Sequence, residues 1–211
     1  AEIAEKLESS GQGSFAGRRA HYLCELAASA PPHEADLMLR EATRLAPSAP
    51  RPGMDLAALQ RRAGDTAAAF HTLAELANAA PPAIPLMAKP LTEAAAACGK
   101  QAEAMEILQT SYELSPSLDV LEGIVALERD PAAARAWYVR HLEREPSLVA
   151  ASKWLAGEQL AHHADVQRAL DHAVKPLTRY RCAACGFEAK QHFWQCPGCQ
   201  AWDSYPARRS E

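Results

Sequence analysis

The sequence of 211 residues lacks the features that mark several protein classes. It has no apolar run near the roughly 20 residues needed to span a bilayer, and its start shows no signal-peptide pattern. With only 10 glycines and 23% charged residues, it is neither collagen-like nor disordered in bulk. A net charge of −4 also excludes a protein that coats nucleic acid over its whole surface.

Recognisable catalytic motifs are missing as well. There is no GxSxG, Walker loop, GxGxxG or HExxH pattern. Seven histidines are scattered through residues 1–174, and we interpret them as surface or packed residues: His21, His33, His71, His141, His162, His163 and His172. Cys24 and Cys98 stand alone and are interpreted as small buried apolar residues. The sequence therefore predicts no enzymatic activity.

Alanine is abundant, with 46 residues, and it is the best helix former. The composition changes near Lys175 and Pro176: residues 175–211 hold six basic against three acidic residues, whereas the rest holds 16 against 23. We therefore predict an all-α domain over residues 1–174 and a small separate domain over residues 175–211.

The helical part repeats. Proline recurs at spacings of 34, 35 and 30 residues, at Pro47, Pro81, Pro116 and Pro146. Twelve and eight residues before each lie an alanine and a large apolar residue, the pairs being Ala35 and Leu39, Ala69 and Leu73, Ala104 and Leu108, and Ala134 and Tyr138. Each pair falls on one face of a helix. The turn residues Gly64 and Gly99 precede two of these segments.

This pattern resembles divergent tetratricopeptide repeats, in which helix pairs stack into a solenoid that binds other proteins. It predicts helices over 16–29, 33–46, 54–63, 66–79, 86–98, 101–114, 118–128, 132–144, 148–161 and 164–174. We expect the short fourth unit to deviate from the others. Because the first residue is Ala1, we also expect chain upstream, and residues 1–9 to end a helix whose partner lies there.

Four cysteines lie in the last 30 residues, as CxxCG and CPxC separated by ten residues: Cys182, Cys185, Cys196 and Cys199. Two such turns facing each other would give a closed shell of four sulfurs, suited to zinc or iron. The alternative of two disulfides needs an oxidising compartment, which the rest of the chain does not indicate. The spacing therefore predicts one metal ion per chain.

The metal is expected to be structural, because four thiolates leave no open position for catalysis. Its binding would let the aromatic residues of the tail pack into a folded unit: Phe187, Phe193, Trp194 and Trp202. His192 is a competing ligand, although it lies outside both turns. Two alternatives stay open, an iron-based electron carrier and a nucleic-acid-binding ribbon that uses flanking arginines, Arg179, Arg181, Arg208 and Arg209.

The tail motifs YRCxxCGF and FWQCPGCxAWDS resemble the ending of the lipopolysaccharide assembly protein B family, with Gln200 where rubredoxins usually have glycine. The resemblance implies a non-catalytic adaptor at the cytoplasmic side of the bacterial inner membrane, with an anchor upstream of this chain. It implies as partners the membrane protease FtsH, its substrate LpxC (the deacetylase of lipid A synthesis) and other lipopolysaccharide assembly proteins. Only the four cysteines carry over as functional residues.

The ribbon is expected to dock on the helices rather than move freely. The connection over 175–179 has no glycine and contains Pro176, and so small a unit cannot bury its aromatic residues alone. We predict docking on an apolar surface that contains Trp154, Leu155, Leu160, Val166 and Leu170.

Overall fold

The computed structural model describes residues 15–156 and 163–211. The predicted helix end at residues 1–9 lies outside these. The described helices are α1 (Ala16–Ser29), α2 (Pro32–Leu45), α3 (Pro50–Arg62), α4 (Thr66–Ala79), α5 (Ile84–Cys98), α6 (Gln101–Leu114), α7 (Leu118–Leu127), α8 (Pro131–Arg144), α9 (Leu148–Ala156) and α10 (Ala164–Val174), with a short 3₁₀ turn at Pro81–Ala83. Two strands follow, β1 (Tyr180–Arg181) and β2 (Glu188–Ala189).

The predicted helices are confirmed, with one marked difference in a boundary. Helix α3 begins at Pro50, four residues before the predicted start at residue 54. Pro50 and Pro52 lie in the first turn, where backbone N–H groups have no partner within the helix, so proline removes no helical hydrogen bond there. Helix α5 contains Pro90 in its interior. The predicted end of α9 at residue 161 lies outside the described residues.

The alanine and large apolar residues at the aligned repeat positions lie mostly in the core. Of the eight aligned positions, seven are buried and Ala134, in the short fourth unit, is half-buried. Each of the four aligned prolines lies two residues after the end of a helix. Gly64 and Gly99 have φ of 85° and 76°, the left-handed region that glycine tolerates best. The alanine, leucine and proline pattern therefore marks the buried face and the end of one helix in each repeat.

The first of two compact units comprises, among the described residues, 15–83 and 90–104. Within it α1 packs on α2, α2 on α3 and α3 on α4, and α1 also contacts α3. Its core near the start is built mainly from small residues: Ala20, Cys24, Ala27, Ala35, Leu39, Ala42 and Leu56. Small side chains let neighbouring helices approach closely, which is how the abundant alanine contributes to the fold.

The second unit comprises residues 84–89 and 105–211, with 157–162 outside the described part. Here α7 packs on α8, α8 on α9 and α9 on α10. A buried hydrogen bond of 2.8 Å joins the Tyr112 hydroxyl in α6 to Nδ1 of His141 in α8. The tail belongs to this unit and contains the antiparallel pair β1–β2, with Tyr180 opposite Ala189 and Arg181 opposite Glu188.

The predicted fold class is confirmed: helices in tandem, followed by a small ribbon that contains the four cysteines. Among the described residues, none of the helices is long and apolar enough to cross a membrane. The division into domains at residues 174 and 175 stays a prediction.

Candidate metal centre

The first cysteine turn is a tight loop closed by two backbone hydrogen bonds. The N–H of Gly186 donates to the carbonyl of Cys182 at 2.8 Å, and the N–H of Cys182 donates to the carbonyl of Phe187 at 2.9 Å. Gly186 has φ of 77°, so glycine fits there without strain. This geometry brings the sulfurs of Cys182 and Cys185 to the same side of the loop.

The second turn repeats the same pattern. The N–H of Gln200 donates to the carbonyl of Cys196 at 2.8 Å, and the N–H of Cys196 donates to the carbonyl of Ala201 at 2.9 Å. Gln200 has φ of 60° in the position that corresponds to Gly186. The departure from glycine noted in the sequence is therefore accommodated by a non-glycine residue in the left-handed region.

The structure brings all four predicted sulfurs together. The Sγ atoms of Cys182, Cys185, Cys196 and Cys199 all lie within 4.8 Å of one another. Across the two turns, Cys182 and Cys199 are 3.8 Å apart, and Cys185 and Cys196 are 3.7 Å apart. A tetrahedral shell with metal–sulfur bonds of about 2.3 Å requires sulfur separations of about 3.8 Å. The donor set and its spacing thus fit one zinc or iron ion.

Hydrogen bonds favour the thiolate form of the two buried sulfurs. Contact with the Ser204 hydroxyl and with the backbone N–H groups of Cys185 and Ala184 lowers the pKa of Cys182 to about 6. Burial raises the pKa of Cys196, but the backbone N–H groups of Cys199 and Gly198 outweigh it and leave the pKa below its ordinary value. Metal ligation by cysteine requires the thiolate, so these contacts prepare the site for a cation.

His192 is not part of the cluster. Its Nε2 lies 3.4 Å from the carbonyl of Tyr205, and its ring makes edge contacts with those of Tyr180 and Trp194. Burial lowers the pKa of His192, which keeps the ring neutral and suited to this aromatic setting. Four sulfurs without an added histidine form a closed shell, which offers no vacant position to a substrate.

The core of the ribbon differs in part from the predicted one. Its buried members are Tyr180, Cys182, Cys196 and Tyr205, with Phe193, Ala189 and Leu86 of α5 packed against them. Phe187, which was expected in this core, is 44% exposed, and Trp194 and Trp202 are only half-buried. The two tyrosines were missed, although Tyr180 alternates with Cys182 along an extended segment and so shares its face.

The ribbon docks on the helices of the second unit through residues 208–211, here called the C-terminal clamp. Arg209 contacts Asp119 at 2.6 Å and Glu122 at 3.3 Å, both in α7, and Arg208 pairs with Glu145. The backbone of residue 210 bridges to that of Arg179, which joins the clamp to the start of the ribbon.

The last residue of the clamp also caps a helix. Oε1 of Glu211 accepts hydrogen bonds from the backbone N–H groups of Leu148 at 2.6 Å and Val149 at 3.2 Å, in the first turn of α9. A carboxylate there satisfies free N–H groups and interacts favourably with the helix dipole.

Docking was thus expected, but the predicted surface is wrong in part. Val166 is 48% exposed, and α10 has no buried residue. The ribbon instead packs against Leu86, pairs with acidic residues of α7 and with Glu145, and caps the first turn of α9. Leu160 of the predicted surface lies outside the described residues.

The remaining candidates agree with a packing or surface role. Cys24 is buried, and burial together with nearby Asp55 raises its pKa to about 12, which leaves an unreactive thiol. His21 and His141 are buried, and four histidines are exposed, namely His33, His71, His163 and His172. His162 lies outside the described residues. In the described part of the chain, the four tail cysteines are the one group of three or more metal-ligating side chains.

Comparison with known proteins supports the resemblance. The family model described as the rubredoxin metal binding domain matches residues 180–205. Lipopolysaccharide assembly protein B from Escherichia coli K12 is 26% identical over 220 aligned residues, which cover 96% of this chain, and the proteins of that name from E. coli O6:H1 and O157:H7 match equally. The chain spans 56% of the length of these relatives. The chain is therefore similar to lipopolysaccharide assembly protein B along nearly its whole length, and its tail matches the rubredoxin metal binding domain.

Proposed function

We propose that Cys182, Cys185, Cys196 and Cys199 bind one zinc or iron ion, and that this ion holds together a metal-binding domain at residues 175–211. The observation that carries the proposal is the set of four sulfurs within 4.8 Å, with cross-turn separations that suit a tetrahedral shell. A tail of this size has too small an apolar core to fold securely alone. The role of the ion is structural, because its shell is closed.

The chain as a whole acts, in this proposal, as a non-catalytic adaptor in the regulation of lipopolysaccharide assembly. Its similarity to lipopolysaccharide assembly protein B supports the process. Its tandem helices support the mode of action, because such repeats present extended surfaces to other proteins. Residues 1–174 would supply the binding surfaces, and the clamped ribbon would fix the arrangement of α7 and α9.

More specifically, we propose that the chain works at the cytoplasmic side of the bacterial inner membrane and promotes degradation of LpxC by FtsH. This step rests on the family resemblance. The adaptor would then have two protein partners, a membrane protease and its substrate. It would regulate lipid A synthesis by binding both of them.

Binding by the purified full chain tests this proposal. We expect immobilised chain to retain purified LpxC and the soluble part of FtsH, and Cys196→Ser to weaken that retention by disturbing the ribbon. Cys98→Ser is the matched control, because Cys98 is half-buried and lies outside the cluster. Failure of the wild-type chain to retain either protein would contradict the proposed partners, whatever its metal content.

The same preparation separates the two alternatives. Salt-dependent retention on DNA or RNA would favour nucleic-acid binding, whereas a reversible, coloured iron centre would favour electron transfer. The case for nucleic-acid binding is weak, because three of the four flanking arginines pair with carboxylates of the chain itself. Arg179 pairs with Glu188, Arg208 with Glu145, and Arg209 with Asp119 and Glu122. We therefore expect no retention on nucleic acid.

A further inference from the structure

Two adjacent hydroxyl groups, those of Ser204 and Tyr205, lie beside the buried sulfurs; we call them the hydroxyl pair. Oγ of Ser204 is 3.2 Å from Sγ of Cys182 and 3.2 Å from the carbonyl oxygen of Ala201. It therefore touches a sulfur of the first cysteine turn and a carbonyl of the second.

Tyr205 makes the corresponding contacts with the turns exchanged. Its hydroxyl lies 3.8 Å from Sγ of Cys196 and 3.3 Å from the carbonyl oxygen of Phe187. It therefore touches a sulfur of the second turn and a carbonyl of the first. The hydroxyl pair crosses between the two turns, with one member for each buried sulfur.

The two carbonyls are already satisfied by the backbone. The carbonyl of Ala201 accepts from the N–H of Cys196, and that of Phe187 accepts from the N–H of Cys182, both at 2.9 Å. Each hydroxyl has a single proton, and it can turn toward sulfur without leaving a carbonyl unpaired. The thiolates need a hydrogen-bond donor more than the two carbonyls do, because they are charged and have little access to water: Cys182 and Cys196 are 2% and 0% exposed.

We propose that Ser204 and Tyr205 are positioning residues for the metal, and that they donate O–H···S hydrogen bonds to the thiolates of Cys182 and Cys196. Cys185 and Cys199 are exposed and can share their charge with solvent. This inference rests on the proposed metal site. It assigns the hydroxyl pair two roles: orienting the first sulfur of each turn, and offsetting the negative charge of a four-thiolate shell at its two buried sulfurs.

Zinc affinity of the full chain is the first test. We expect Ser204→Ala to weaken zinc binding, measured by competition with a chromophoric chelator, on the order of tenfold, as is typical when a partner of a ligand is removed. Ser204→Thr keeps a hydroxyl and restores the affinity. Ser210→Ala is the matched control, because the Ser210 hydroxyl donates to the carbonyl of Arg179, away from sulfur, and it leaves the affinity unchanged.

The reduction potential of the iron-loaded chain is the second test, because a merely structural role would not move it. The reduced site carries one more negative charge than the oxidised site, so a hydrogen bond to thiolate favours reduction. Ser204→Ala therefore lowers the potential. Tyr205→Phe lowers it less, because its contact with sulfur is longer.

The outcomes distinguish failure of the proposed metal site from failure of the role proposed for the hydroxyl pair. Wild-type chain that binds neither ion would overturn the metal site and the inference with it. Wild-type chain that binds metal, together with a Ser204→Ala variant of unchanged affinity and potential, would overturn the role of the hydroxyl pair alone. Should Ser204→Ala fail to fold, Tyr205→Phe and Ser204→Thr still decide the question through the potential.

Discussion

Removal of the Arg209 guanidinium is the sharpest perturbation of ribbon docking. Arg209 contacts Asp119 at 2.6 Å and Glu122 at 3.3 Å. The side chains of Arg209 and Asp119 are only 22% and 13% exposed, so Arg209→Ala leaves a nearly buried carboxylate without its cation. Loss of one partner from a fully buried pair costs roughly 3–5 kcal/mol, whereas exposed pairs contribute about 0–1 kcal/mol. Because this pair lies between the two extremes of burial, we expect Arg209→Ala to lower the free energy of unfolding by about 2 kcal/mol.

The neighbouring arginine provides the matched control. Arg208 pairs with Glu145, but these side chains are 43% and 35% exposed. Solvent screens such a pair, so Arg208→Ala should cost less than about 1 kcal/mol. The two variants remove the same side chain from adjacent positions of one clamp. Any difference between them therefore reports burial rather than loss of positive charge from the tail.

Urea unfolding followed by tryptophan fluorescence measures the difference. All four tryptophans lie in the second unit, so the signal reports the unit to which the ribbon docks: Trp137, Trp154, Trp194 and Trp202. Equal losses for Arg209→Ala and Arg208→Ala would refute the reasoning. So would a failure of Asp119→Asn to restore stability to Arg209→Ala, because that second change removes the uncompensated charge.

The deficit of Arg209→Ala should also depend on pH. Burial raises the pKa of Asp119 above its ordinary value, and Arg209 opposes that rise while Glu122 adds to it. Without Arg209 the pKa of Asp119 rises further, so the folded variant binds a proton more readily than the unfolded chain. A raised folded pKa gives stability at low pH that is lost as pH rises. The difference in the free energy of unfolding between Arg209→Ala and wild type therefore narrows from about pH 7 to about pH 5.

Three further changes test packing and backbone geometry by urea unfolding. Tyr112→Phe leaves Nδ1 of buried His141 without its 2.8 Å partner and should cost about 1–3 kcal/mol; a loss below about 0.5 kcal/mol would contradict a buried hydrogen bond. Gln200→Gly relieves a φ of 60° and should stabilise the metal-loaded ribbon by about 0.5–1 kcal/mol, and destabilisation would count against that conformation. Leu108→Ala removes a fully buried side chain and should cost about 2–5 kcal/mol, whereas a neutral result would place that face outside the core.

The helices could be predicted because their signals are local. Small and large apolar residues one turn apart mark a buried face, and the proline that follows marks the helix end, so Ala69, Leu73 and Pro81 locate α4 without tertiary information. The start of α3 was predicted at residue 54, four residues after its actual start at Pro50. In the first turn proline is compatible with the helix, and only the structure shows that Pro50 lies there.

The four sulfurs were also predictable from local spacing, since each CxxC turn brings its own pair together. The residues that support them were not. Ser204 lies 22 residues from Cys182, and Arg209 lies 87 residues from Glu122. Such pairs depend on how the chain folds back on itself. Arg208 and Arg209 were therefore considered as nucleic-acid contacts, whereas the structure places them against carboxylates of the same unit.

The central claim is that the tail holds one metal ion in a shell of four thiolates. Elemental analysis of the purified full chain, combined with X-ray absorption spectroscopy at the zinc and iron edges, tests it most directly. The account predicts one equivalent of zinc plus iron per chain, with four sulfurs at about 2.3 Å from the ion. Well under one equivalent with four free thiols, or a nitrogen or oxygen ligand in place of one sulfur, would contradict it.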